Sequence, residues 1–518
     1  MQIINKVLIL LAFLNLFCGP PKPNSKSTDT SLPNTAIIKS EEELSKELES
    51  TQWNDRSQAI TEIAAGGFKN FIPKLRKILK EDTNPVVRAT AAIALGEFQD
   101  KDSTPEIISL LSKDEIPKDA IFDSLKRMKD PRGSTALVKF IDLSDNAMRL
   151  QVVDALYEIG NKSVGKEILQ MALKNKDIEK AKTYAMILGK LQVKEAEDYL
   201  INIAKTTEPS PTLAASLLAL GRIGSNKSIP ILVEEIGKDF EKGRENSVES
   251  LILLKNKSCL PLLYPYLENE NPEIRLASAT VIGEIPDSNT KSVIEKILNN
   301  KNNTLYGASA YVAGRLKLDS LRTRIEEILL EQKNPDRDMI AKSLGWIGNS
   351  KSVQTLIKVL KEENGEGRYG AAWSLGILEA VEAFDELVKA TESPDKKLAA
   401  IAIESLGQLK LEKSIPILEK AIYSDKNMSL FAMSSLSLVP GENARKSLEN
   451  YALSDDPPIY RSAIEFLGKR KDPASVPTLI NILKKGNGEK IKITINALNT
   501  ITGKRISTSK EWIREVEN

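Results

Sequence analysis

The chain has 518 residues, with 73 Lys and Arg against 71 Asp and Glu and no histidine. A formal charge of +2 supplies no basic field for nucleic acid, and the missing imidazole removes the commonest general base and metal ligand. With Cys18 and Cys259 as its only cysteines, the chain has neither a zinc cluster nor a disulfide framework, and no metal or cofactor is expected.

Residues 1–18, MQIINKVLILLAFLNLFC, place Lys6 ahead of an apolar run from Val7 to Phe17. As a helix that run rises about 16 Å, short of a bilayer core of about 30 Å, so it predicts a signal peptide. Cys18, which closes the run, resembles the lipidated cysteine of a bacterial lipobox, with Phe17 and Asn15 where a standard lipobox has a small residue and Leu. The resemblance implies export and a lipid anchor on Cys18 in a bacterial membrane; a cleaved secreted protein and an uncleaved anchor are the alternatives. Residues 19–39 are rich in Pro, Ser, Thr and Lys and too poor in apolar side chains to fold, which predicts a tether. Ser40 with Glu43 offers a capping box for a short N-terminal capping helix over 40–52.

From residue 53 the sequence repeats. Leu95 has equivalents at Leu125, Leu156, Leu188, Leu220, Leu251, Ile282, Ala313, Leu344, Leu375, Leu406, Leu436, Leu467 and Leu498, in steps of 30 to 32 residues. Such a period signals a solenoid, here about fourteen units over 53–506. Glycine follows the anchor at 96, 189, 221, 283, 314, 345, 376, 407 and 468, where a bare backbone lets another helix approach closely. Nine residues further on stands proline in Pro105, Pro230, Pro261, Pro416 and Pro477, at the first turn of a second helix. Ser103, Ser228, Ser414 and Ser475, two residues ahead of four of these prolines, are expected to cap that helix. Each unit therefore reads as helix A, a turn and helix B.

NPVVRATAAIALGEF (84–98) and NPEIRLASATVIGEI (271–285) resemble the bacterial HEAT-like repeats, the short type also found in phycobilisome lyases. The resemblance implies an all-α, right-handed superhelix whose B helices line the concave side. ITGKRISTSKEWIREV resembles the turn and Trp-bearing helix that close such arrays, so 507–518 is expected to be a C-terminal capping helix in which Thr508 and Glu511 cap and Trp512 covers the last unit. HEAT-like arrays mostly bind other macromolecules, and the HEAT-like enzymes that oxidise a lysine-derived side chain need His-Glu motifs, which a chain without histidine lacks.

Two residue sets stand out. Arg88, Arg149, Arg244, Arg275, Arg337 and Arg368 fall eight residues before the glycine position, where a guanidinium fork can reach an acid or carbonyl of the adjacent unit and set the stacking register. Positions seven and three before the glycine and one after it share a face of helix A. In three consecutive units that stripe holds Tyr311 and Arg315, Lys342 and Trp346, then Tyr369, Trp373 and Ile377, read as an outward partner-binding site organised by cation–π pairing. GEGRYG (365–370) satisfies GxGxxG but follows a helical stretch instead of a strand, so it reads as an inter-repeat loop. Cys259 takes the place of the serine before Pro261 and reads as a buried thiol.

These features predict a non-enzymatic, membrane-tethered scaffold of the bacterial cell envelope that binds an unidentified protein partner and no nucleic acid. The alternatives are an enzyme or enzyme subunit using carboxylate and tyrosine chemistry in the concave groove, and a purely structural envelope element. The sequence leaves the oligomeric state open.

Overall fold

A computed structural model describes residues 39–517 apart from 114, 143–144, 302–303, 332–334, 364, 425, 487, 505 and 507. Cys18, the signal segment and the tether through residue 38 lie outside the described residues. All regular structure among the described residues is helical, in alternating A and B helices, which makes the fold an α-solenoid. The chain forms two compact units, one ending at Asp130 and the other starting at Pro131. The first runs from the Glu41–Glu47 helix, whose Ser40–Glu43 capping box is formed, to the Lys118–Met128 helix. The second runs from the Pro131–Leu137 helix to the Ser509–Glu517 helix.

Helix A shows why these residues fold as they do. In the Pro85–Glu97 helix, Asn84 accepts from the Val86 amide, Pro85 supplies a preset first turn, and Val87, Ala91, Ala92 and Leu95 face inward. Every anchor from Leu95 to Leu498 is at most 1% exposed. Burying a leucine contributes about 1.5–3 kcal/mol, and an isolated hairpin has nowhere to do so; only the neighbouring unit supplies the other wall.

The glycine position is where consecutive A helices meet. A Cβ on Gly376 would stand 2.8 Å from the Ser405 Cα, one on Gly345 3.0 Å from the Ser374 Cα, and one on Gly407 2.6 Å from the Ser435 Cα. The residue that faces these glycines is the one two places before the next glycine position. Its hydroxyl closes the contact: Ser124 donates to the Ala92 carbonyl at 2.6 Å, and Ser250 to Leu217, Ser374 to Ala341 and Ser405 to Ala372, each at 2.8 Å. Reading the sequence for glycine alone missed this half of the contact, although Ser-Leu-Gly at 343–345, 374–376 and 405–407 repeats in plain view.

Helix A ends three residues past the glycine on a left-handed residue. Gly160, Gly224 and Gly348 fill that position in three units, but Lys129, Lys255 and Lys471 hold the same conformation at φ of 52°, 52° and 55°. A Cβ there is strained, so Lys255→Gly is expected to raise unfolding stability by about 1 kcal/mol in urea titrations. A short 3₁₀ turn then leads into helix B, with Pro105, Pro230, Pro261 and Pro477 in its first turn.

The serines ahead of those prolines do not cap. Ser103, Ser228 and Ser475 close the 3₁₀ turn with helical dihedrals, φ −79° to −82° and ψ −8° to −12°, so their hydroxyls cannot reach the next amides. Ser228 donates instead to the Ser225 carbonyl at 2.7 Å and Ser414 to Leu406 at 3.2 Å.

The six arginines sit at the start of helix A with the head group turned back. Arg88, Arg337 and Arg368 donate through Nε to the carbonyls of Leu79, Leu329 and Leu360, at 3.2, 3.0 and 3.2 Å, in the last turn of the preceding B helix. Arg244 and Arg275 reach the chain just past that helix, at Lys238 (2.7 Å) and at Asn269 and Glu270 (both 2.9 Å). A cation at these carbonyls also favours the negative end of the helix dipole. Arg149 bonds the Asn146 side chain of its own helix at 2.9 Å. Where Tyr306 stands in the arginine position it does the same work, donating to the Asn300 carbonyl at 2.8 Å.

The last helix packs on the two before it and buries Trp512 to 1% exposure, with the Glu511 amide 3.3 Å from the Thr508 hydroxyl.

Candidate protein-binding face

The candidate stripe lies on three successive A helices, Gly307–Arg315, Arg337–Ile347 and Gly367–Ile377. Its rings form a zigzag. Tyr311 and Trp346 meet edge to face with centroids 5.2 Å apart, and Trp346 meets Trp373 the same way at 5.5 Å. Such pairs contribute about 0.5–1.5 kcal/mol beyond the area they bury. The contact alternates between the position three before the glycine and the position one after it, so each ring bridges to the next helix.

Tyr311 departs from the outward reading: it is buried, at 5% exposure. The reason lies opposite, at Gly283, where the Tyr311 ring comes 4.0 Å from the place a Cβ would take. Trp346 and Trp373 are half-buried, and Ile377 is exposed at 43%. The expected cation–π organisation also gives way. Arg315 lies 2.5 Å from Glu284 and Lys342 lies 2.8 Å from Asp338. A carboxylate within reach offers a charge-assisted hydrogen bond, which a ring face does not match.

Tyr369 has a structural tie of its own. Its hydroxyl donates to Asp395, which caps the Lys396–Gln408 helix by accepting from the Lys397 and Leu398 amides. That hydrogen bond holds the Asp395 carboxyl below its ordinary range and, together with burial, pushes the Tyr369 phenol up to about 12. The Lys397 amine stands 4.4 Å over the Tyr369 ring. What remains open is the far edge of the stripe, where Trp346, Ile377 and Leu378 wall a depression of about 550 Å³ rimmed by Lys317, Ser350 and Glu379.

Other tyrosine–carboxylate pairs are separate links between elements. Tyr184 donates to Asp142 at 2.7 Å and Tyr264 to Asp287 at 3.0 Å. Burial first, and the carboxylate with it, raises both phenols, which suits them poorly to proton transfer near neutral pH. Cys259 is buried and its thiol pushed up to about 11 by burial. In GEGRYG, Gly367 opens helix A, and a Cβ on Gly370 would stand 2.2 Å from the Asp338 carbonyl, so that glycine serves helix contact.

Comparison with known proteins follows the same lines. The sequence model for HEAT repeats matches residues 41–126, 165–252, 233–314, 321–394 and 355–430. No curated protein matches the chain. Among solved structures, the CpcE–CpcF complex of phycocyanin lyase from Nostoc sp. PCC7120 is 18% identical, covering 45% of this chain and 96% of that one, with a TM-score of 0.30. YibA from Escherichia coli is 15% identical over 50% of this chain and 97% of its own, with a TM-score of 0.36. Kap95p, solved with RanGDP, is 14% identical over 89% of this chain and 75% of its own, with a TM-score of 0.44. With the stacked A–B hairpins in place and the repeat model matching well over half of the sequence, the chain belongs to the HEAT-repeat family.

Proposed function

We propose that the protein is a non-enzymatic scaffold that holds a protein partner against its helix-A face and is tethered by a lipid on Cys18 to a membrane of the bacterial cell envelope. The observation that carries the binding half is the exposed edge of the aromatic zigzag. Trp346 and Ile377 present an apolar wall inside a charged rim of Lys317 and Glu379, the composition of an interface anchor site. The tether half rests on the sequence, on Lys6, the apolar run from Val7 to Phe17, and Cys18 followed by a Pro- and Ser-rich segment.

A photo-crosslinking residue at Ser350, on the rim of the depression, tests the first half in intact cells. One dominant adduct is expected by mass spectrometry, falling at least tenfold in an Ile377→Glu variant with unchanged helicity; adducts spread evenly over abundant proteins would refute it. Labelled fatty acid is expected on the native chain and not on Cys18→Ala, and equal label on both would refute the anchor.

A further inference from the structure

The register that builds the zigzag continues past it. The 27-residue step from Trp346 to Trp373 also leads from Ile377 to Glu404, in the Lys396–Gln408 helix. The next A helix, Lys426–Leu438, places Leu430 and Leu438 on the same stripe, exposed at 54% and 41%. Glu404 is thus set in a face whose neighbouring stripe positions include Trp373, Ile377, Leu430 and Leu438, with Ser434 in its own register position on the next helix. Among the described residues it has no hydrogen bond or ion pair, and it is half-buried. The charged groups at the two ends of its own helix are engaged elsewhere: Lys410 lies 2.5 Å from Glu379, Lys397 stands over the Tyr369 ring, and Asp395 accepts from Tyr369. Two A helices further on, the corresponding position again holds a carboxylate, and there Glu465 pairs with Lys469 at 2.7 Å.

We infer that this face binds a polypeptide segment of the partner that sets a Lys or Arg against Glu404, between apolar side chains that cover Ile377 and Leu430. The inference rests on the protein-binding reading above and adds the chemistry of what is bound. A lone carboxylate in apolar surroundings is costly to keep ionised, and burial accordingly raises its pKa. A cation brought by a partner offsets that cost only in the complex, so the residue favours binding at the expense of the free protein. Exposed leucine and isoleucine on either side give the apolar contacts that desolvate the pair.

The test uses the full chain in detergent and a displayed library of random twelve-residue peptides. Enriched peptides are expected to carry Lys or Arg flanked by apolar residues. Their binding, read by fluorescence anisotropy, should fall at least tenfold in Glu404→Gln and in Leu430→Glu and stay unchanged in Glu465→Gln. Glu404→Gln should also melt no lower than the native chain, because it removes an unpaired charge; a lower melting temperature would make Glu404 a structural group and overturn the inference. Peptides that bind the native chain and Glu404→Gln alike would overturn it while leaving the protein-binding reading in place. Failure to enrich any peptide over the Leu430→Glu chain would sink both. Self-association in sedimentation that Leu430→Glu abolishes would assign the face to a second copy of the chain, and the inference would fall.

Discussion

Gly376→Val is expected to destabilise the protein by about 3 kcal/mol, the upper end of what overpacking costs in a filled interior. The Cβ would stand 2.8 Å from the Ser405 Cα, and backbone cannot rotate away as a side chain can. The Gly367–Ile377 and Lys396–Gln408 helices would have to part, and with them the Ser405 hydroxyl would lose the Ala372 carbonyl. Because each hairpin is sheltered only by its neighbours, the damage should spread: amide exchange should quicken in the units on both sides, and urea unfolding should lose its single sharp transition. Gly283→Ala is the matching control. There the nearest atoms belong to the flexible Arg315 side chain, at 3.4 Å, so the substitution should be tolerated and gain up to about 1 kcal/mol of helix propensity. Equal losses at the two positions would contradict the helix-contact account of the repeated glycine.

Arg337→Ala should cost a similar amount, about 3–5 kcal/mol, through a different mechanism. The guanidinium is 3% exposed; it donates to the Leu329 carbonyl at 3.0 Å and forks onto both oxygens of Glu362 at 2.6 and 2.7 Å. Its removal strands a carboxylate that is itself largely buried and frees a helix-terminal carbonyl. Lysine cannot form the fork, so Arg337→Lys should recover little. Adding Glu362→Gln to Arg337→Ala should restore part of the loss, because the stranded charge is then gone. A double-mutant cycle by urea titration measures that coupling; an additive result would show that the pair does not tie the start of helix A to the end of helix B.

These expectations show where each level of description has its force. The period near thirty-one, the anchor leucines, the glycines beside them and the proline that opens helix B are local chemistry repeated, and repetition makes them legible in one dimension. Ser-Leu-Gly was equally visible, yet its meaning was not, because Ser374 and Ser405 act on the carbonyls of the preceding A helix, about thirty residues earlier, whereas Ser343 bonds within its own helix. Ser103 and Ser228 misled for the converse reason: a serine before Pro is a capping signal only when its own backbone is extended, and here a 3₁₀ turn holds it helical.

The stripe divides the same way. Periodicity put Tyr311, Trp346, Trp373 and Ile377 on one face, since a helix of 3.6 residues per turn leaves no other choice. Which of them meets solvent was decided by the neighbouring helix: Gly283 takes Tyr311 in, Glu284 and Asp338 take the cations, and Ile377 is left at the edge. Glu404 could not be told from any other surface acid in the sequence, because being without a partner is a property of its surroundings. The amino-acid sequence by itself determined the unit, its two helices and the stacking of one unit on the next, all of which follow from short-range pattern and the need to bury leucine. Only the tertiary structure decided which polar groups were paired and which apolar side chains stayed uncovered, because those depend on distances between residues about thirty apart that no local pattern encodes.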